Sequence, residues 1–307
     1  MLYLYAPRDS DELEPLLRQA LPEIELVVWP QKVDTNTVRY VLVWNPPEGF
    51  FTQFPRLEAI FALGAGVDRL VGRSDLPDQV SIIRLADAGM AQQMAEYALY
   101  GVLRYQRHFD RYQQQQAERR WQPQPPRLAH EVRISVLGLG AIGSVVAKTL
   151  AGLGYAVSGW SRQPRQLQGV KSFYGPGALD VLLAETDVLV SILPSTPETR
   201  GLLNREHLKH LPHGAALINA GRGDQLDLEA VLHCLETGQL RFAQLDVFPE
   251  EPLPFKHPLW ARQDVIITPH VAAITLSGPA VNQVAANLRA LQRGEKPSGL
   301  VERQRAY

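Results

Sequence analysis

In the first part of the chain, apolar residues fall into two alternating patterns. Short β-branched or aromatic runs (LYLY from Leu2, IELVV from Ile24, YVLVW from Tyr40 and EAIFAL from Glu58) are each bounded by polar, Pro or Gly residues. Such runs mark strands buried on both faces of a parallel sheet. Residues 10–20 carry helical spacing, with Asp9 or Ser10 as the cap. This βα alternation predicts an open α/β sheet. From about residue 88 to 119 the pattern becomes that of one long helix. It stops at WQPQPPR, whose prolines cannot continue it, and that segment reads as a domain boundary.

A second βα series begins at VRISVLGLG. Strands are expected at YAVSGW, DVLVSIL, AALINA, FAQLDVF and DVIITPH, with helices over 141–152, 177–184 and 224–237. A last helix over about 277–294 places Val281, Val284, Ala285, Leu288 and Leu291 at helical spacing. It would return the chain to the first domain and make that domain discontinuous.

Composition narrows the class. A length of 307 residues suffices for two ordinary domains. With 31 Lys+Arg against 32 Asp+Glu, the chain lacks the basic excess of a nucleic-acid or membrane-surface protein. The single Cys234 excludes an intrachain disulfide and reads as a small core residue on a helix. The start, MLYLYAPRDSDELEP, has neither a signal peptide's basic opening nor a membrane-length apolar run, so a cytoplasmic location is expected. No metal site is expected.

The strand RISVL runs into Gly138-Leu139-Gly140-Ala141-Ile142-Gly143 and then an apolar helix. This is the G-x-G-x-x-G pattern in its strand–turn–helix setting. Gly138 permits the tight turn, Gly140 lets the backbone approach a pyrophosphate, and Gly143 lets helix and strand pack. Ala141 and Ile142 open the helix, whose free N–H groups and dipole favour phosphate. The following strand ends in Trp160-Ser161-Arg162, without the acid that would bind an NAD ribose. Ser161 and Arg162 suit a 2′-phosphate, so NADP(H) is expected in preference, with NAD(H) possible. The alternative is that Arg162 is an ordinary surface cation.

Three further segments stand at strand ends: INAGRG with Arg222, LDVFPEEPL with Asp246 and Glu251, and TPHVA with His270. Together they suit reduction of a small anionic keto acid. Arg222 offers a planar fork to the carboxylate and carbonyl oxygen. His270 is the natural acid, and Glu251 beside it would favour the imidazolium. Each has a plainer reading: a structural Arg between glycines, a solvated loop acid, one histidine among several.

The motifs GLGAIG, LPSTPETRGLLN, INAGRG, LDVFPEEPLP and TPHVAA, in that order, resemble those of the D-isomer-specific 2-hydroxyacid dehydrogenases. The segments VWNPP, FALGAGVD, WQPQP, SGWSR and a short tail ending in Tyr307 are similar to the family's glyoxylate/hydroxypyruvate reductase branch. The resemblance implies the roles given above for Arg222, Glu251 and His270. It also implies that Asp246 holds the nicotinamide carboxamide and that Leu193, Pro194 and Thr196 line the cofactor cleft. Ala220 and the adjoining Gly221 would lie at the nicotinamide side. The N–H groups of Ala65 and Gly66 would bind the substrate carboxylate as an anion nest, and Trp44 would wall the pocket. A simple tight turn and a core aromatic are the alternatives at those places. The implied architecture is two flavodoxin/Rossmann-like, doubly wound parallel-sheet domains around a cleft. Residues 1–96 with 278–307 would bind substrate, and 97–277, including the long linking helix, would bind the nucleotide. A homodimer is implied, with that helix at its interface. No regulatory domain is expected after the last helix. The activity implied is NADPH-preferring reduction of glyoxylate and hydroxypyruvate. Alternatives are a D-2-hydroxyacid dehydrogenase with a bulkier substrate, or a nucleotide-sensing relative without catalysis.

Overall fold

The computed structural model describes residues 1–303; Tyr307, part of the tail resemblance, lies outside them. The chain divides into two compact units, Met1–Met90 with the chain from Thr275 onward, and Ala91–Ile274.

The first unit opens with β1 (Leu2–Tyr5), α1 (Ser10–Ala20), β2 (Leu26–Val28), β3 (Tyr40–Val43), β4 (Ala59–Ala62) and β5 (Ser81–Arg84). All five strands run parallel in the order β2-β1-β3-β4-β5. That is the doubly wound, flavodoxin-like order. Every residue of β3 and β4 is buried, which is why these strands appear as unbroken apolar runs. Asp9 occupies the N-cap of α1, but its side chain makes no capping bond. The sequence pattern did not reveal β5, whose two isoleucines are too few to show a period.

In the second unit the expected single helix is two: α2 (Met90–Gln106) and α3 (Phe109–Ala117). The break falls at His108, whose φ of 57° lies in the left-handed region. The bend lets Asp110 reach Arg241, with Nε to Oδ2 at 2.7 Å, and Arg241 stacks 4.3 Å over the Tyr105 ring. This tertiary pair holds the chain bent at His108, and the glutamine-rich stretch beyond stays helical in α3. The proline-rich segment lies within this unit: Gln106 donates to the Arg127 carbonyl at 3.0 Å, and Arg127 pairs with Asp187 at 3.0 Å.

The remaining elements of this unit are β6 (Arg133–Leu137), α4 (Ala141–Gly152), β7 (Ala156–Ser161), β8 (Val170–Tyr174), α5 (Leu179–Ala184), β9 (Val188–Ser191), α6 (Arg205–Leu208), β10 (Ala215–Asn219), α7 (Leu228–Glu236), β11 (Leu240–Leu245) and β12 (Val265–Ile267). The seven parallel strands are ordered β12-β11-β10-β9-β6-β7-β8. Chain order reverses between β6 and β9, and ligands of open α/β sheets bind outside the carboxyl ends of the strands at such a point. At the opposite end of β6, buried Asp187 accepts bonds from the Arg133 backbone N–H and guanidinium and from Arg127. Burial pushes its carboxyl up, but the bonds from Arg133 and Arg127 outweigh that and hold it below the usual carboxylate range.

The chain then returns to the first unit with α8 (Ser277–Gln292). This helix packs on α1, where Arg289 meets Glu23 at 2.8 Å and donates to the Ala20 carbonyl at 2.6 Å. Beyond it, the Val301 N–H bonds the Ile82 carbonyl at 2.9 Å on β5.

Candidate active site

The turn after β6 is set by close backbone approach. Gly138 has φ of 98°. A Cβ on Gly143 would stand 1.8 Å from the Gly138 carbonyl oxygen, so the first turn of α4 closes on the strand only with glycine there. Gly140 is different: a Cβ there would meet no atom of the chain within 4 Å. Any demand for glycine at this N-cap comes from something outside the chain. Ala141 and Ile142 open α4, whose unpaired N–H groups suit a pyrophosphate. At the end of β7, Ser161 Oγ donates to the Gln163 carbonyl at 2.7 Å, and Arg162 is exposed. Arg162 also helps hold the Glu198 carboxyl below its usual range, after the larger effect of a bond from Thr196. These residues fit a nicotinamide dinucleotide, with no carboxylate at the β7 end to repel a 2′-phosphate.

Leu193 and Thr196 are buried and Pro194 is half-buried in the segment after β9. Ala220 and Gly221, after β10, press against it: a Cβ on Gly221 would lie 2.7 Å from the Leu193 carbonyl oxygen. The fully buried Gln225 ties these strand ends together. It accepts from Ser191 Oγ at 2.8 Å and donates to the Leu193 carbonyl at 2.6 Å. Nearby, Ser195 Oγ donates to Asp224 at 2.5 Å. Neither Gln225 nor the Ser195–Asp224 pair was identified from sequence, because no spacing rule relates residues on different strand ends.

Arg222 leaves the same turn in extended conformation, its Nη1 donating to the Gly221 carbonyl at 2.8 Å. The next residue, Gly223, packs its backbone on Phe248; a Cβ would fall 1.9 Å from the Phe248 carbonyl carbon. The Phe248 N–H in turn donates to Glu251 Oε1 at 3.0 Å, and Glu251 Oε2 lies 2.8 Å from His270 Nδ1. Continuous contacts therefore link the Arg222 turn to the Glu251–His270 pair. The side chains of His270 and Glu251 are 49% and 30% exposed, open enough to meet a small molecule. With Nδ1 engaged by Glu251, Nε2 is the ring nitrogen left for chemistry.

The backbone of His270 is left-handed, with φ of 57°. For a residue other than glycine this costs about 1–3 kcal/mol and persists only where surrounding contacts impose it. Asp246, 2% exposed, supplies those contacts. Its carbonyl accepts the His270 N–H at 2.9 Å. Its Oδ1 accepts from Thr268 Oγ1 at 2.6 Å and the Val271 N–H at 2.9 Å, and its Oδ2 from the Ala272 N–H at 2.9 Å. The sequence reading placed Asp246 at a cofactor and did not identify this internal role.

In the first unit, Trp44 is 49% exposed, so it is not a core aromatic. Its ring covers Gly64, where a Cβ would come within 2.9 Å of it. Beside it, Ala65 is half-buried and Gly66 exposed, at the turn after β4. Among the described residues, no group of three or more His, Cys, Asp or Glu could hold a metal, and no helix is long and apolar enough to cross a membrane.

Residues 99–272 match the family model for the NAD binding domain of D-isomer specific 2-hydroxyacid dehydrogenases. A glyoxylate/hydroxypyruvate reductase A of Serratia proteamaculans is 45% identical over 291 residues, covering 93% of each chain. A D-isomer specific 2-hydroxyacid dehydrogenase of Xanthobacter autotrophicus, solved with NADPH and MES, superposes with a TM-score of 0.96 at 43% identity, over 100% of this chain and 99% of that one. An NADPH-dependent glyoxylate/hydroxypyruvate reductase of Sinorhizobium meliloti, solved with NADP and sulfate, gives 0.92 at 31% identity, over 100% and 99%. The chain belongs to the D-isomer-specific 2-hydroxyacid dehydrogenases, a family of NAD(P)-dependent oxidoreductases.

Proposed function

We propose that this protein reduces glyoxylate to glycolate and hydroxypyruvate to D-glycerate, using NADPH in preference to NADH. The observation that carries the reading is the His270–Glu251 contact of 2.8 Å, joined through Phe248 and Gly223 to the Arg222 turn. A bound nicotinamide cofactor would supply hydride to the substrate's carbonyl carbon. The Arg222 guanidinium grips the keto acid by its carboxylate and polarises the carbonyl oxygen. His270 Nε2 gives that oxygen its proton, while Glu251, bonded to Nδ1, orients the ring. In the reverse direction His270 is the base.

The glycine turn and the first residues of α4 hold the pyrophosphate, and Arg162 takes the 2′-phosphate, joined by Ser161 when its hydroxyl turns from the Gln163 carbonyl. Leu193, Pro194, Thr196, Ala220 and Gly221 border the nucleotide. Asp246 Oδ2, with one internal bond, offers its remaining acceptor site to the carboxamide. Within the first unit, the backbone N–H groups of Ala65 and Gly66 suit a substrate carboxylate, and Trp44 borders that turn. The names of the relatives support the substrate and cofactor choice. A homodimer is proposed from the family resemblance, with exposed Tyr100, Leu103, Phe109 and Tyr112 on α2 and α3 supplying an apolar surface.

The test is steady-state turnover of a panel of 2-keto acids with each nucleotide. Glyoxylate and hydroxypyruvate should give the highest kcat/KM, and NADPH should exceed NADH by about tenfold or more, the scale of one charge-assisted contact. Better turnover of bulky keto acids would replace the substrate assignment. NADPH binding without turnover would point to a sensor.

A further inference from the structure

The backbone and side-chain bonds around Asp246 extend one residue further, to a group with no place in the chemistry above. The Tyr97 hydroxyl lies 2.9 Å from Thr268 Oγ1, which is itself 2.6 Å from Asp246 Oδ1. Thr268 has a single hydroxyl hydrogen, and an ionised carboxylate can only accept. The Thr268 hydrogen therefore points to Asp246, and Tyr97 must be the donor to Thr268. Burial pushes the Tyr97 phenol up to about 12, so it keeps its proton, and thus its donor role, at any working pH. The Tyr97 carbonyl is pinned by Gln244 Nε2 on β11 at 3.0 Å. The result is a one-way chain of hydroxyls from α2 into the carboxylate about which residues 268–272 fold.

Resting on the reading of His270 as proton donor, we propose that Tyr97 and Thr268 are positioning residues for that donor. They fix the orientation of the Asp246 carboxylate. Asp246, by binding Thr268 on one side of His270 and Val271 and Ala272 on the other, imposes the left-handed backbone that aims the imidazole. Proton transfer tolerates little misplacement, so loosening this turn lowers turnover more than it lowers binding.

The experiment compares Thr268→Val, which keeps the shape and removes the hydroxyl, with Thr268→Ser, which keeps the hydroxyl. It is done in the full chain, with kcat, KM for glyoxylate, the NADPH Kd by fluorescence and the Tm measured for each. Thr268→Val should lower kcat by about tenfold to a hundredfold, with the NADPH Kd changed by no more than about threefold. Thr268→Ser should restore kcat to within about threefold of the parent, and Tyr97→Phe should lose kcat in the same direction but less, because Asp246 keeps its Thr268 bond. Equal kcat for the Val and Ser variants overturns the proposal, as does a kcat loss that only tracks the unfolded fraction. His270→Gln separates the two layers. If it retains full turnover, the proton-donor reading falls; if it is inactive while Thr268→Val matches the parent, only the positioning proposal falls.

Discussion

Between Leu137 and Gly143 the backbone is shaped by what is missing; between Thr268 and Ala272 it is shaped by what is added. In the first turn, glycines let α4 close on β6 to a distance that a single Cβ would forbid. In the second, a residue other than glycine adopts a left-handed φ because a buried carboxylate from the neighbouring strand collects donors from both sides of it. The first solution is local and permanent. The second is tertiary, and it makes the His270 turn depend on side chains of other elements, Asp246 after β11 and Tyr97 on α2. One chain can therefore shape one turn by steric exclusion and another by hydrogen bonding.

Three substitutions put this contrast under strain. Gly143→Val should have the largest effect: with its Cβ 1.8 Å from a carbonyl oxygen, α4 must move. Overpacking of this severity should exceed about 3 kcal/mol, lowering the Tm by roughly 10 °C. NADPH binding should be lost with it. A variant that melts like the parent and binds NADPH would show that the turn is not sterically set.

Asp246→Asn comes next. The amide replaces an acceptor with a donor in a place where an hydroxyl and two backbone N–H groups all point inward. Losing a hydrogen bond to a charged group costs about 1.5–3 kcal/mol, so kcat should fall by about tenfold to a hundredfold. Unchanged kcat would mean that the His270 turn holds itself. Gly140→Ala should be the mildest. Its Cβ meets nothing in the chain and its φ of −75° suits any residue, so the Tm should stay within about 1 °C. The KM for NADPH should nonetheless rise about tenfold through crowding of the pyrophosphate. A large drop in Tm with unaltered KM would reverse the assignment of this glycine to the ligand.

The same contrast explains what could be read from the sequence. Strands such as β3, β4 and β10 were visible because burial on both faces leaves unbroken apolar runs. The glycine turn was visible because its constraint lies within six consecutive residues. The Glu251–His270 pair was legible only as chemistry: two residues whose types fit one reaction, with nothing in their spacing to bring them within 2.8 Å. Thr268 stood in plain view beside His270, but its partners, Asp246 and Tyr97, lie on other elements. The break at His108 was missed for the same reason, since it answers to Arg241 on β11. Local steric rules leave a trace in sequence; bonds between distant elements do not.

The return of α8 to the first unit has a consequence for synthesis. Chain growth delivers all of Ala91–Ile274 before α8 emerges. The second unit is contiguous and complete at that point, while α1 still lacks the helix that covers it and β5 still lacks its bond to Val301. On the ribosome, then, residues 1–90 are made before the second unit yet can finish folding only after it, once α8 has emerged.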